Sequence, residues 1–144
     1  WNPYIFKIMA HDKRITIDII KKMYLLACSI SIFALIYYIS LPKIVEIFLP
    51  EKYFTGNRLF KWFILGGTLQ TFYWIINPFL IVFDKKEFFI YITIISAVSS
   101  ITLNIIFTKN GLEYAAMIYF VTWLFQLFCL LFSVYYAKKN FKNI

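Results

Sequence analysis

Apolar residues fall in four long runs, at 23–42, 62–83, 88–108 and 114–137, and none of the runs contains Asp, Glu, Lys, Arg or His. A helix rises about 1.5 Å per residue, so about 20 apolar residues cross the hydrocarbon core of a bilayer. Unpaired backbone groups are not tolerated in lipid, and a helix pairs them internally. The pattern therefore predicts an all-α integral membrane protein with four transmembrane helices. Short charged connections at 84–87 and 109–113 predict that successive spans form an antiparallel bundle.

The longer connection, 43–61, carries Lys43, Glu46, Glu51, Lys52, Arg58 and Lys61. Pro42, Pro50 and Gly56 are expected to interrupt helical continuity there, with Ile44, Val45, Ile47, Phe48 and Leu49 resting in the membrane interface. Ahead of the first run, residues 1–22 mix Ile5, Ile8, Met9, Ile15, Ile19 and Ile20 with charged residues, as an amino-terminal interfacial helix does. His11 in that flank reads as a solvated surface histidine in preference to a proton switch. The whole chain, 1–144, reads as one transmembrane domain.

Composition agrees with this pattern. The chain is 62% hydrophobic and 15% charged, whereas soluble domains carry about 25% charged residues. The net charge of +8 lies in the flanks and connections, which points to lipid headgroups and topology, not to nucleic acid. With the amino-terminal flank inside, that side holds Lys7, Lys13, Arg14, Lys21, Lys22, Lys85, Lys86, Lys138, Lys139 and Lys142. Lys43, Lys52, Arg58, Lys61 and Lys109 lie opposite, so the 15 basic residues divide ten to five. By the positive-inside rule both termini are expected in the cytoplasm, in a multi-pass protein of the plasma (inner) membrane. The flank lacks a signal-peptide pattern, and Trp1 in place of an initiator Met fits a fragment of a longer chain.

Cys28 and Cys129 sit inside apolar runs without CxxC spacing and read as free, buried thiols. No carboxylate pair, Ser/His/Asp set, metal-ligand cluster or Gly-rich phosphate loop appears. No catalytic, metal-binding or cofactor-binding residue is therefore nominated, and the chain does not read as an enzyme.

Within the spans, small and polar residues recur at helical intervals. The rows are Ala27, Ser31, Ala34 and Tyr38; Gly66, Gln70, Tyr73 and Asn77; Thr93, Ala97, Ser100, Asn104 and Thr108; and Ala115, Tyr119, Thr122, Gln126, Cys129 and Ser133. One reading is helix packing, because small residues let backbones approach and carboxamides bond across interfaces. The other is that Gln70, Asn77, Asn104 and Gln126 line a path for a polar cargo, since carboxamides in hydrocarbon need water or a partner. Pro78 removes a backbone hydrogen bond inside the second span and marks either a gating hinge or a static kink.

Several segments resemble, in their order, the polysaccharide and O-antigen flippases of the multidrug/oligosaccharidyl-lipid/polysaccharide exporter superfamily. They are Trp1-Asn2-Pro3-Tyr4, Leu49-Pro50-Glu51-Lys52-Tyr53, Leu65-Gly66 to Gln70 and Tyr73, Asn77-Pro78 before Lys85-Lys86, and Ile95-Ser96-Ala97 to Leu103-Asn104 followed by Gly111 and Ala115-Ala116. The chain looks like the last third of such a protein. It departs at Ser100, Thr108 and Tyr114, where the family often has Asn, Pro and Gly.

The resemblance implies a two-lobed transporter of about twelve helices that moves a polyprenyl-diphosphate-linked oligosaccharide by alternating access. Its partners would be the bilayer, that glycan and the missing amino-terminal lobe. It also implies that Lys21, Lys22, Lys85 and Lys86 contact the diphosphate or lipid headgroups. Two rivals stay open: a complete four-span protein resembling the GtrA-like family, and an accessory structural subunit of the membrane.

Overall fold

A computed structural model describes residues 2–9, 17–48, 50, 56–82 and 86–141. Helices make up nearly all of these: α1 (Asn2–Met9), α2 (Ile17–Phe48), α3 (Asn57–Ile76), α4 (Pro78–Val82), α5 (Lys86–Phe107) and α6 (Leu112–Phe141). Among the described residues there is no strand. Four stretches, Lys21–Phe48, Arg58–Ile81, Glu87–Asn110 and Leu112–Tyr136, are long and apolar enough to cross a membrane, and they coincide with the four apolar runs.

α2 differs from the sequence expectation at its carboxyl end. It runs through Pro42 to Phe48 without interruption. A proline removes only one helical hydrogen bond, and the turns around it are anchored by Leu41 and Val45, each buried to 3% exposure. Val45 is therefore packed within the protein.

The described part of the amino-terminal flank is helical and packs on the protein. The described helices there are α1 and, from Ile17, the start of α2, while His11 lies outside the described residues. Ile5 of α1 and Ile19 of α2 are fully buried against Phe79 of α4, with Tyr4, Met23, Ile76 and Val134 around them. Burying such side chains is worth about 1.5–3 kcal/mol each, which holds α1 on the protein.

α3 packs most extensively on α6; α6 also receives α5, and α2 lies against α3. In the most apolar window of α3, 39% is buried inside the protein, against 6% for α2. α2 thus turns nearly all its surface outward, and its exposed Leu25, Phe33, Leu35 and Ile39 are suited to lipid. Aromatic contacts join the layers. Trp62 meets Phe120 at 5.4 Å, Tyr73 meets Trp123 at 5.6 Å and Phe88 meets Tyr136 at 6.4 Å. Between α2 and α3, the Lys61 ammonium stands 5.2 Å from the Tyr38 ring centroid, a cation–π contact. The main core joins Tyr73, Leu80, Ile92 and Leu130.

Two glycines are required by geometry. A Cβ on Gly66 would stand 2.5 Å from Tyr119 Cδ1 and 3.3 Å from the Phe120 backbone, so its absence permits the close approach of α3 and α6. Gly111, which follows the 3₁₀ turn Thr108–Asn110, has φ of 126°, a conformation open to glycine and strained for other residues. Both cysteines are free. Cys129 is partly buried, but Cys28 is exposed and not buried as its place in an apolar run implied, because α2 makes so few contacts.

Candidate functional site

The polar row of the second span faces the protein. Gly66, Tyr73 and Asn77 are buried and Gln70 is half-buried, and the first two and Gln70 lie against Tyr119 and Trp123 of α6. There the Tyr119 hydroxyl donates to Gln70 Oε1 at 2.7 Å, joining two residues 49 positions apart. The Tyr119 ring also meets Phe63 at 5.4 Å in a tilted contact and Trp123 at 6.3 Å edge-on. Gln126 lies two helical turns beyond Tyr119 on the same face of α6 and is half-buried.

Asn77 is the residue between α3 and α4. Its backbone stays near helical (φ −51°, ψ −39°), and its N–H bonds Tyr73 O at 2.9 Å. Its carbonyl accepts from Leu80 N at 3.0 Å, a tightened turn. Pro78, fully buried, has no N–H to continue the ladder and opens α4, the position where proline is tolerated. The Asn77 side chain is 5% exposed, and its Oδ1 has no hydrogen-bond partner among the described residues. An unpaired buried acceptor costs about 1–3 kcal/mol, so this atom marks a place where the protein carries a cost that packing alone does not explain.

The row on α5 behaves differently. Thr93, Ala97 and Thr108 are exposed, while Ser100 and Asn104 are half-buried, so most of this face points away from α6. Asn104 satisfies itself locally: Nδ2 donates to Ser100 O at 2.8 Å, and Oδ1 accepts from Thr108 Oγ1 at 3.4 Å. The residue that α5 turns inward is Ser96, wholly buried, whose Oγ also has no partner among the described residues. Sequence reasoning passed over Ser96 as a site residue, although its spacing of four from Ile92 placed it on the packed face. The structure does not join Asn104 to Gln70, Asn77 or Gln126 by any hydrogen bond described.

Of the four candidate lysines, Lys85 lies outside the described residues and Lys86 opens α5. Lys21 is exposed at the start of the first span. Lys22 forms an ion pair with Asp18 at 3.0 Å and donates to the Tyr4 hydroxyl, which in turn donates to Asp18 Oδ2 at 3.1 Å. The Lys22 hydrogen bond, helped by Tyr4, holds the Asp18 carboxyl below its ordinary range. This network ties α1 to α2, and its Tyr4 packs on the Ile5–Ile19–Phe79 cluster.

The same end of the protein holds an apolar groove of about 460 Å³. Met23, Tyr24 and Ala27 of α2, Ile76 of α3, Phe79 of α4, and Leu131 of α6 are among its walls. Compared with protein-family models, curated proteins and solved structures, the chain matches none.

Proposed function

We propose that the chain is the carboxyl-terminal part of a membrane flippase that translocates a polyprenyl-diphosphate-linked oligosaccharide for surface polysaccharide synthesis. The observation that carries this reading is Asn77: a carboxamide buried in an apolar helix bundle, beside a proline break, with its acceptor unpaired. In a carrier, that acceptor and the Ser96 hydroxyl serve sugar hydroxyls, and Pro78 supplies the point about which α4 moves relative to α3.

Further support comes from the half-buried Ser100 and Asn104 and the exposed Thr108 along α5 and the turn after it. A larger two-lobed transporter gives this polar face a neighbour and gives the path formed by Gln70, Asn77, Asn104 and Gln126 its second wall. Alternating access needs that second lobe. The spans are read as alternating in direction, with both termini in the cytoplasm and the protein in the plasma membrane. The order of contacts supports the alternation alone: Lys61 meets Tyr38 while Met23 and Phe72 share a groove, and Phe88 meets Tyr136 while Leu103 and Tyr114 share another. In both pairs residue numbers rise in one helix as they fall in the other.

A second reading, an accessory structural subunit, is favoured by the Gly66–Tyr119 contact and the Gln70–Tyr119 bond, which tie α3 to α6 as a static interface. Export of glycan by cells whose full-length protein carries Gln70→Leu, Asn77→Leu or Asn104→Leu separates the two. A carrier loses export at unchanged membrane abundance. Unchanged export by all three variants removes these residues from any path and leaves the structural reading.

A further inference from the structure

We propose that the groove between α2, α3, α4 and α6 is a binding site for one anionic glycerophospholipid, with an acyl chain along Met23, Ala27, Ile76 and Leu131 and its phosphate at Lys21. The site is separate from the polar row assigned to cargo, so it stands or falls independently of the flippase reading.

Three observations converge on it. The groove is of the size that holds small ligands, about 300–1,000 Å³, and its walls are almost wholly apolar, as hydrocarbon chains require. Four separate helices build it, and it lies beside the weakly covered face of α2, where lipid has access. Its end is charged. Met23, Ile76 and Val134 line the groove and also pack on the Ile5–Ile19–Phe79 cluster, which closes that end. Tyr4, a member of the Tyr4–Asp18–Lys22 network, packs on the same cluster.

Charge at this end distinguishes an anionic from a zwitterionic lipid. Asp18 is paired with Lys22 and lies within the field of Lys21 as well; Lys21 itself is exposed, one helical turn before the groove residue Tyr24 on the same face of α2. Lys7, one turn beyond Tyr4 on α1, is exposed and adds a second positive charge. Basic residues at the end of a pocket between membrane helices are a recurring arrangement for phosphate headgroups.

The test is native mass spectrometry of the full chain released from nanodiscs holding equal phosphatidylglycerol and phosphatidylcholine. One phosphatidylglycerol retained per chain is the expected result. Lys21→Gln, which leaves packing untouched, should lower the preference for phosphatidylglycerol roughly five-fold, the scale of one lysine near an anionic surface. Ala27→Phe, which fills the groove, should reduce retention of both lipids. Equal retention of the two lipids by the unmodified chain would overturn the proposal, as would retention indifferent to Ala27→Phe. So would displacement of phosphatidylglycerol by an equal amount of polyprenyl phosphate, which would assign the groove to the cargo lipid.

Discussion

The hydroxyl of Tyr119 on α6 donates to Oε1 of Gln70 on α3 at 2.7 Å, one turn along α3 from Gly66, whose missing Cβ makes room for the same tyrosine ring. The two features depend on each other. Without the glycine the helices separate and the bond is lost; without the bond, two polar groups face hydrocarbon and each other unpaired.

A double-mutant cycle of Gln70→Leu and Tyr119→Phe should give a coupling of about 0.6–1 kcal/mol, the usual worth of an interhelical side-chain bond in a membrane protein. Reversible unfolding in detergent measures it. A coupling near zero would show that the bond does not hold α3 to α6.

Gly66→Ala should destabilise the protein by about 1–3 kcal/mol, because the new methyl group meets a ring and a backbone that must shift. Gly67→Ala is the internal control, since nothing lies within 4 Å of its Cβ position. It should be neutral or slightly stabilising, as alanine favours helix by about 1 kcal/mol over glycine. Equal thermal midpoints for the two variants would contradict the close approach.

Asn77→Leu should leave stability unchanged or raise it by about 1 kcal/mol, because it removes a buried acceptor that has no partner among the described residues. In a full-length carrier the same change should abolish glycan export. A large fall in thermal midpoint would instead show that Asn77 is held by contacts that matter to the fold.

The span boundaries were legible in the sequence because hydropathy and length decide them: α5 and α6 begin and end within a few residues of the apolar runs. Pro42 misled because a proline in a helix is only a missing hydrogen bond, and the burial of Leu41 and Val45 outweighs it. The small and polar rows predicted correctly that Gln70 and Tyr73 face inward on α3. On α5 the same kind of row was a weaker guide: Ile92 and Ser96 are the buried residues, Ala97 is exposed, and Thr93, though exposed, reaches the Tyr73 side chain of α3. Periodicity reveals that a face exists; which neighbour covers it depends on the fold. Docking of α1 was not visible either, because Ile5 and Ile19 look alike whether they meet headgroups or Phe79.

The tether of α1 should weaken in acid. Asp18 titrates below its ordinary value of 3.8 in the folded protein because Lys22 and Tyr4 bond its charged form. Its contribution is therefore present above about pH 4 and lost as pH falls through the lowered folded value. Amide protection factors in α1, corrected for the intrinsic pH dependence of exchange, should fall over that range and, for Asp18→Asn, be already low at neutral pH. Exchange that ignores both changes would place the hold on α1 wholly in Ile5.

The central claim is four membrane crossings with both ends in the cytoplasm, and substituted-cysteine labelling tests it most directly. In a Cys28→Ser, Cys129→Ser background, single cysteines at the exposed positions Lys7, Glu46, Glu87 and Asn110 would be treated in intact cells with a membrane-impermeant maleimide. The account predicts labelling at 46 and 110 from outside, and at 7 and 87 only after permeabilisation. Labelling of 7 and 87 from outside, or of all four positions alike, would contradict it.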